Sequence, residues 1–183
     1  MTTATQAELA TYQLEPTHSS VEFAVKHMLI ATSRGRFHDF DVTANVDETN
    51  FANSSATVRI KAESIDTRTP DRDAHLRSAD FLDTENHPEL VFVTRSIAPH
   101  RGNWQIVGDL TVRGVTREVV LDAEVSGPVT DPWGGRRIGV SAHGKINRKD
   151  FGMVWNAALD AGGFVLADDV KLSIEVELLK SAE

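Results

Sequence analysis

Seven histidines are the side chains in this sequence best suited to acid–base or metal chemistry: His18, His27, His38, His75, His87, His100 and His143. None lies in an HExxH motif, and no two stand at a tight metal-binding spacing. His143 falls on the outward phase of an alternating stretch and His100 beside a turn, so His27 is the one on an apolar phase. Its plainer role is a core imidazole hydrogen-bonded to backbone; its sharper role is contact with a ligand. A metal site of His27, His75 and Asp73 has no support from spacing. The chain has no cysteine, which excludes thiolate nucleophiles, disulfides and cysteine metal sites, and no GxSxG motif. The carboxylate pairs Asp71/Asp73 and Asp168/Asp169 read as a helix start and a turn before a strand. Gly134-Gly135 and Gly162-Gly163 read as turns, because no phosphate-loop pattern leads from them into a helix.

Two polar segments admit a structural and a functional reading. In RDAHLR (72–77), Arg72, Asp73 and Arg77 are expected to pair with neighbouring carboxylates and fix a lid; the alternative is that the arginines recognise an anionic head group. Asn147-Arg148 with Asp150 reads as a buried brace for the loop carrying Phe151 and Trp155.

The elements that would position these groups are mostly strands. From Ser20 to His27, apolar Val21, Phe23 and Val25 alternate with Glu22, Ala24 and Lys26, a period of two with one face in and one out. The pattern breaks at Met28-Leu29-Ile30, an apolar corner expected to join two strands and, in a barrel, to sit at one mouth with His27 and Phe37 facing it. A polar corner at Thr32-Ser33-Arg34-Gly35 is expected next, then a second strand from Arg36 to Val46. Alternation returns at 56–63, 90–97, 104–112, 115–125, 138–146 and 170–178, which makes eight strands. Arg101-Gly102-Asn103 and Arg113-Gly114 suit hairpin turns, and Gly127-Pro128 a loop. Leu90 to Ile97 is apolar on both faces, so one face needs cover from the insert or from a partner. Within Ser64 to Pro88, Thr69 can cap a short helix over roughly 70–78, with Pro70 first and Asp71 and Asp73 at its positive end. Phe81 and Leu82 behind it would need burial. No long helix separates the strands, so parallel βαβ units are ruled out. An up-and-down antiparallel barrel fits and removes edge strands; a two-sheet sandwich is the runner-up.

At 183 residues the chain suits a single domain over 12–183 behind a polar tail at 1–11. It carries 19 basic against 27 acidic residues, a formal charge of −8. That sign disfavours general nucleic-acid binding and a general affinity for anionic membranes, leaving a local basic patch as the route to the latter. No apolar run is long enough to cross a membrane as a helix. The start, MTTATQAELATYQLE, lacks the basic stretch and apolar run of a secretory signal, so a cytoplasmic location is expected.

An eight-stranded barrel can be filled by side chains or can hold one slender ligand. Ala56, Ala62, Gly108, Ala123, Ala142 and Gly144 fall on inward faces with Phe23, Phe92, Trp104, Leu110 and Leu121. Either small and large residues interlock in a packed core, or the small ones leave a tunnel that the large ones line.

The segments HSSVEFAVKHM (18–28), RGRFHDF (34–40), SIDTRTPDRDAHLRSADFLDTENHPELVF (64–92), GDLTVRGVTREVVL (108–121) and INRKDFGM (146–153) resemble the YceI-like family in order and spacing. The resemblance implies a lipocalin-like barrel with a helical insert and an apolar tunnel holding an isoprenoid chain, such as a polyprenyl lipid or quinone. It further implies a non-covalent lipid carrier with no other cofactor, not an enzyme, and often a homodimer. Many relatives are periplasmic and carry a signal peptide. The expected lining is Phe23, Val25, His27, Phe37, Phe81, Phe92, Ile106, Leu110, Leu121, Ile138, Trp155 and Phe164. Each makes apolar contact, and His27 also offers a hydrogen bond. A head group would meet Arg36, His27 or the insert at a mouth. The rivals are a small cofactor-free cyclase or isomerase using His27 as acid or base, and a packed barrel that serves as an interaction module.

Overall fold

The computed structural model describes residues 8–182. Its strands are β1 (Leu9–His27), β2 (Ala31–Phe37), β3 (Phe40–Asp47), β4 (Ser55–Lys61), β5 (Ile65–Asp66), β6 (Glu89–His100), β7 (Asn103–Val112), β8 (Val115–Thr130), β9 (Arg136–Asn147) and β10 (Leu166–Lys180). The one α-helix among the described residues, α1 (Pro70–Arg77), lies in the insert between β5 and β6. Strands β3, β4 and β6 to β10 pair antiparallel in sequence, and β1 closes the circuit by pairing with both β3 and β10. The result is a closed eight-stranded barrel, not a sandwich.

β1 is the long member, and it changes partner along its length. Its first part (Leu9 to Gln13) pairs with β3, and its second part (Val21 to His27) pairs with β2. The two-residue β5 extends that flap beside β2. Two expectations change here. The polar tail was drawn through residue 11, but Leu9 to Thr11 already pair with Asn45 to Asp47; the rest of it, 1–7, lies outside the described residues. The expected corner at Thr32 to Gly35 is strand, facing Lys26 to Phe23. Its polar residues read as a turn only because one face of the flap is wet.

The chain reverses at the expected apolar corner, Met28-Leu29-Ile30. Ile30 N–H donates to the His27 carbonyl at 3.2 Å. Met28 and Leu29 take φ of 50° and 61°, left-handed values that cost bulky residues about 1–3 kcal/mol each. The hairpins β6–β7 and β7–β8 also use two positive-φ residues, but in Arg101-Gly102 and Arg113-Gly114 the second is glycine. Gly127-Pro128, expected as a loop, stays within β8, where the register with β9 slips between Ser126 and Val129. On β6 the outward Val93 remains exposed and the insert does not cover it.

The insert plugs one end. Phe81 and Leu82 are buried as their types require, and Phe151, 1% exposed, packs in the same cluster. Thr69 occupies the N-cap position, but its side chain makes no cap bond. Asp73 holds the helix start, accepting from Thr67 N–H at 2.9 Å and from the Thr67 hydroxyl. The arginines of the insert bond carbonyls, not the expected carboxylates: Arg77 donates to Glu63 O and Ile65 O, each at 2.8 Å. Arg148 is the brace foreseen, donating to the carbonyls of Met153 and Trp155 at 2.7 Å and of Ala167 at 2.9 Å. Asp150 is exposed and takes no part.

At the opposite end, buried Tyr12 donates to Glu48 at 2.7 Å, and Arg136 and Lys180 meet the same carboxylate. Burial first, and then the neighbouring Glu48, push the Tyr12 phenol up to about 12. Asp47, beside this cluster, accepts from the Thr49 hydroxyl, Asn53 Nδ2 and the N–H groups of Thr49 and Asn50. Those donors, the Thr49 hydroxyl foremost, hold its carboxyl at about 2, below the ordinary 3.8.

Two outcomes follow from this packing. Phe151→Ala should lower unfolding free energy by about 3–5 kcal/mol in urea titration. Asp47 contributes stability above its unfolded pKa, so the gap between the wild type and Asp47→Asn should be full at neutral pH. The gap should close as pH falls from about 4 toward about 2, as read by thermal melts across that range.

Candidate ligand-binding site

Alternation in a closed barrel sends every second side chain inward, so the lumen is defined strand by strand. On β10, Val170, Leu172, Ile174, Val176 and Leu178 line one continuous cavity of about 620 Å3, together with Leu166 where the strand begins. Leu166 to Leu178 spans roughly 40 Å of strand, or roughly 30 Å along an axis tilted by ~40°. Spread over that length, the volume leaves a mean cross-section of roughly 20 Å2, long and slender within the ~300–1,000 Å3 range of ligand pockets. The wall is apolar through the middle, with Val42, Val58, Ile106, Leu121, Val140 and Ile174 among its residues.

Of the expected lining, Phe23, Val25, His27, Phe37, Phe81, Phe92, Ile106, Leu110, Leu121, Ile138 and Trp155 all face this cavity. Phe164 does not. It sits 59% exposed in the irregular segment before β10, bridged to Ala158, where no strand periodicity fixes its direction.

Two of the small inward residues, Gly108 and Gly144, together with Gly35 on β2, are more than gaps in the wall. A Cβ on Gly35 would overlap the Phe23 ring, one on Gly108 the Phe92 ring, and one on Gly144 the Leu121 side chain. Each glycine is a seat on which a large neighbour lies flat along the sheet, and the lumen stays open because of it. Phe23 packs there against Phe37, with ring centroids 5.8 Å apart.

Polar lining residues gather at the ends, apart from Glu22 midway along β1. Ser54, Ser55 and Thr94 lie at the Tyr12 end, and His27, Ser33, Thr67, Asp71, Arg72 and His75 at the helix end. Sequence reading missed most of these, because α1 is too short and polar to show an apolar stripe. The spacing of Arg72 and His75, three apart on one helix face, was the available signal. Arg72 Nε donates to Thr67 Oγ1 at 2.7 Å and Nη2 to Thr67 O at 2.8 Å, which fixes its fork and leaves Nη1 without a protein acceptor among the described residues. His75 bonds Asp80 at 2.8 Å and stands edge-on to Phe81 and Trp155, with centroids at 5.1 and 4.7 Å. The ring of His27 makes no hydrogen bond to protein among the described residues, contrary to the backbone-bonded imidazole expected. It lines the cavity where β1 ends, half-buried. Asp73 is spent on Thr67, so it cannot complete a metal site with His27 and His75. Arg36 does not line the cavity; it lies on β2 opposite Asp66.

A closed antiparallel barrel with a slender apolar lumen, capped by a helical insert, defines the class of lipocalin-like barrels. A YceI-like domain model matches residues 12–178, and the chain belongs to that family. A UPF0312 protein of Staphylococcus aureus is 36% identical over 170 residues, 92% of this chain and 97% of that protein. Among solved structures, the YCEI protein of Campylobacter jejuni is 31% identical with a TM-score of 0.72, covering 86% of this chain and 90% of that one. A polyisoprenoid binding domain from Saccharophagus degradans, 14% identical, has a TM-score of 0.65 over 95% of this chain and all of that one, a likeness of fold.

If the glycine seats keep the lumen open, Gly35→Ala should drive the Phe23 ring inward. Affinity for a long apolar ligand, followed by quenching of Trp155, should fall about tenfold, equivalent to ~1.4 kcal/mol, while far-UV circular dichroism stays unchanged.

Proposed function

We propose that this protein holds an isoprenoid lipid, a polyprenyl lipid or isoprenoid quinone, in the barrel lumen and carries it as a binding protein. The observation that carries the reading is the cavity itself, roughly 30 Å long and one chain wide, with a predominantly apolar wall and most of its polar groups at the ends. Burial of a tail there contributes about 2.5 kcal/mol per ~100 Å2 of apolar surface, with no hydrogen bond required. Such a wall selects for length and girth over functional groups. The fold shared with the polyisoprenoid binding domain of Saccharophagus degradans supports the same ligand class. The head group sits at the helix end, where Arg72 and the unpartnered His27 ring offer donors to a phosphate or carbonyl oxygen.

Mass spectrometry of an organic extract, from protein purified without detergent, tests the reading. A stoichiometric prenyl lipid or quinone is expected. An extract that stays empty after incubation with a panel of prenols, prenyl phosphates and quinones overturns it. Arg72→Gln should weaken binding of a prenyl phosphate while sparing the matching prenol, as compared by the same quenching titration.

A further inference from the structure

The β1–β2 turn breaks the rules that the other tight turns of this barrel obey. Two consecutive residues with positive φ suit Asn-Gly or a glycine pair, and the β6–β7 and β7–β8 hairpins place glycine second. At β1–β2 the positions are Met28 and Leu29, followed by Ile30, and all three face outward: Leu29 is 74% and Ile30 81% exposed. A sequence that puts bulky apolar groups where glycine is cheapest, and then leaves them in water, satisfies neither folding term.

The place of this turn gives it a use. His27, next to Met28, lines the cavity, and so does Val165, whose carbonyl accepts from Met28 N–H at 2.8 Å. The exposed Phe164 lies between Val165 and Gly163, the latter set against the Leu29 side chain. Leu29, Ile30 and Phe164 therefore form an apolar lip on the helix-end mouth of the lumen. Behind the lip the outer face carries three cations. Lys26 lies on the row next to the turn, and Arg34 and Lys171 flank Ala24 on either side, about 7 Å further back. These three cations are exposed and have no ion-pair partner among the described residues. The carboxylates nearby at the start of β10 are matched, Asp168 by Arg148 and Lys149 and Asp169 by Lys145. Asp160, in the adjacent loop, and Glu22, one strand pair behind Arg34 and Lys171, are carboxylates without such a partner among the described residues.

We infer that this lip is a membrane-docking surface: Leu29, Ile30 and Phe164 enter the interfacial layer of a lipid bilayer while Lys26, Arg34 and Lys171 meet anionic head groups. An apolar tip over a cationic collar is the arrangement that binds such an interface, and it is local on a chain whose formal charge is −8. The inference rests on the lipid-carrier reading and deepens it. Docking sets the mouth against the bilayer, so a prenyl tail passes between membrane and lumen without crossing water.

Flotation with phosphatidylglycerol–phosphatidylethanolamine vesicles tests it on the full chain. The wild type should float with the vesicles, and Leu29→Ser/Ile30→Ser should lose partitioning by about tenfold or more, with prenol binding in solution unchanged. None of these turn residues lines the lumen. A second variant, Met28→Asn/Leu29→Gly, guards against a folding artefact: it should melt several degrees higher and yet fail to float. Equal flotation of wild type and variants, or none by the wild type, overturns docking. So does a dimer in sedimentation velocity that dissociates in the Leu29→Ser/Ile30→Ser variant, with vesicles ignored, since the lip would then be a contact between two copies. A wild type that floats but binds no prenol in solution would sink the carrier reading and leave docking standing.

Discussion

The pairing of β1 with β10 is the interaction everything else requires. Without it the sheet has two open edges and the lumen has no fourth wall. The register runs from Tyr12↔Lys180 to His27↔Leu166, with slips between Glu15 and Ser20 and between Val25 and His27. The seam is bolted at one end by the Glu48 carboxylate, which gathers Tyr12 of β1, Arg136 of β9 and Lys180 of β10. At the other end Arg148 ties the start of β10 to the loop beneath Trp155. Both fastenings are buried or half-buried, where charge-assisted bonds count for more than on an open surface.

With closure secured, the wall must choose between filling the lumen and lining it, and glycine decides. Gly35, Gly108 and Gly144 let Phe23, Phe92 and Leu121 lie along the sheet instead of across the bore. Large apolar residues then coat a channel that the same residues, standing upright, would block. That explains how a lumen rich in phenylalanine and leucine remains a cavity.

Much of this could be read from residue types, and the failures have physical causes. Period-two alternation is a direct consequence of strand geometry, so the inward faces of β4, β7, β8 and β10 were legible. So was the orientation of the candidate lining residues that lie on strands. Phe164 and the Thr32–Gly35 corner were not, for opposite reasons. Phe164 lies where no periodicity exists, whereas the polar corner is a real strand whose ordinary solvent face imitates a turn. The apolar corner at Met28-Leu29-Ile30 was legible from the break in period alone, although Met28-Leu29 carries none of the chemistry that marks a turn. The small inward residues were seen, but their role depends on which neighbour lies over them, a cross-strand fact absent from any single stretch of chain.

The seam between β1 and β10 also sets the order of events in folding. Val25 meets Val170 across nearly the whole domain, whereas β6, β7 and β8 are joined by two-residue turns. Local hairpins form before contacts that must close a loop of that length. The central meander is therefore a half-open trough before it is a tube, its apolar face awaiting either the final strand or something greasy to lie in it. If the proposed ligand were present at that moment, folding itself would enclose it without threading through a mouth, a route open once in the life of each molecule.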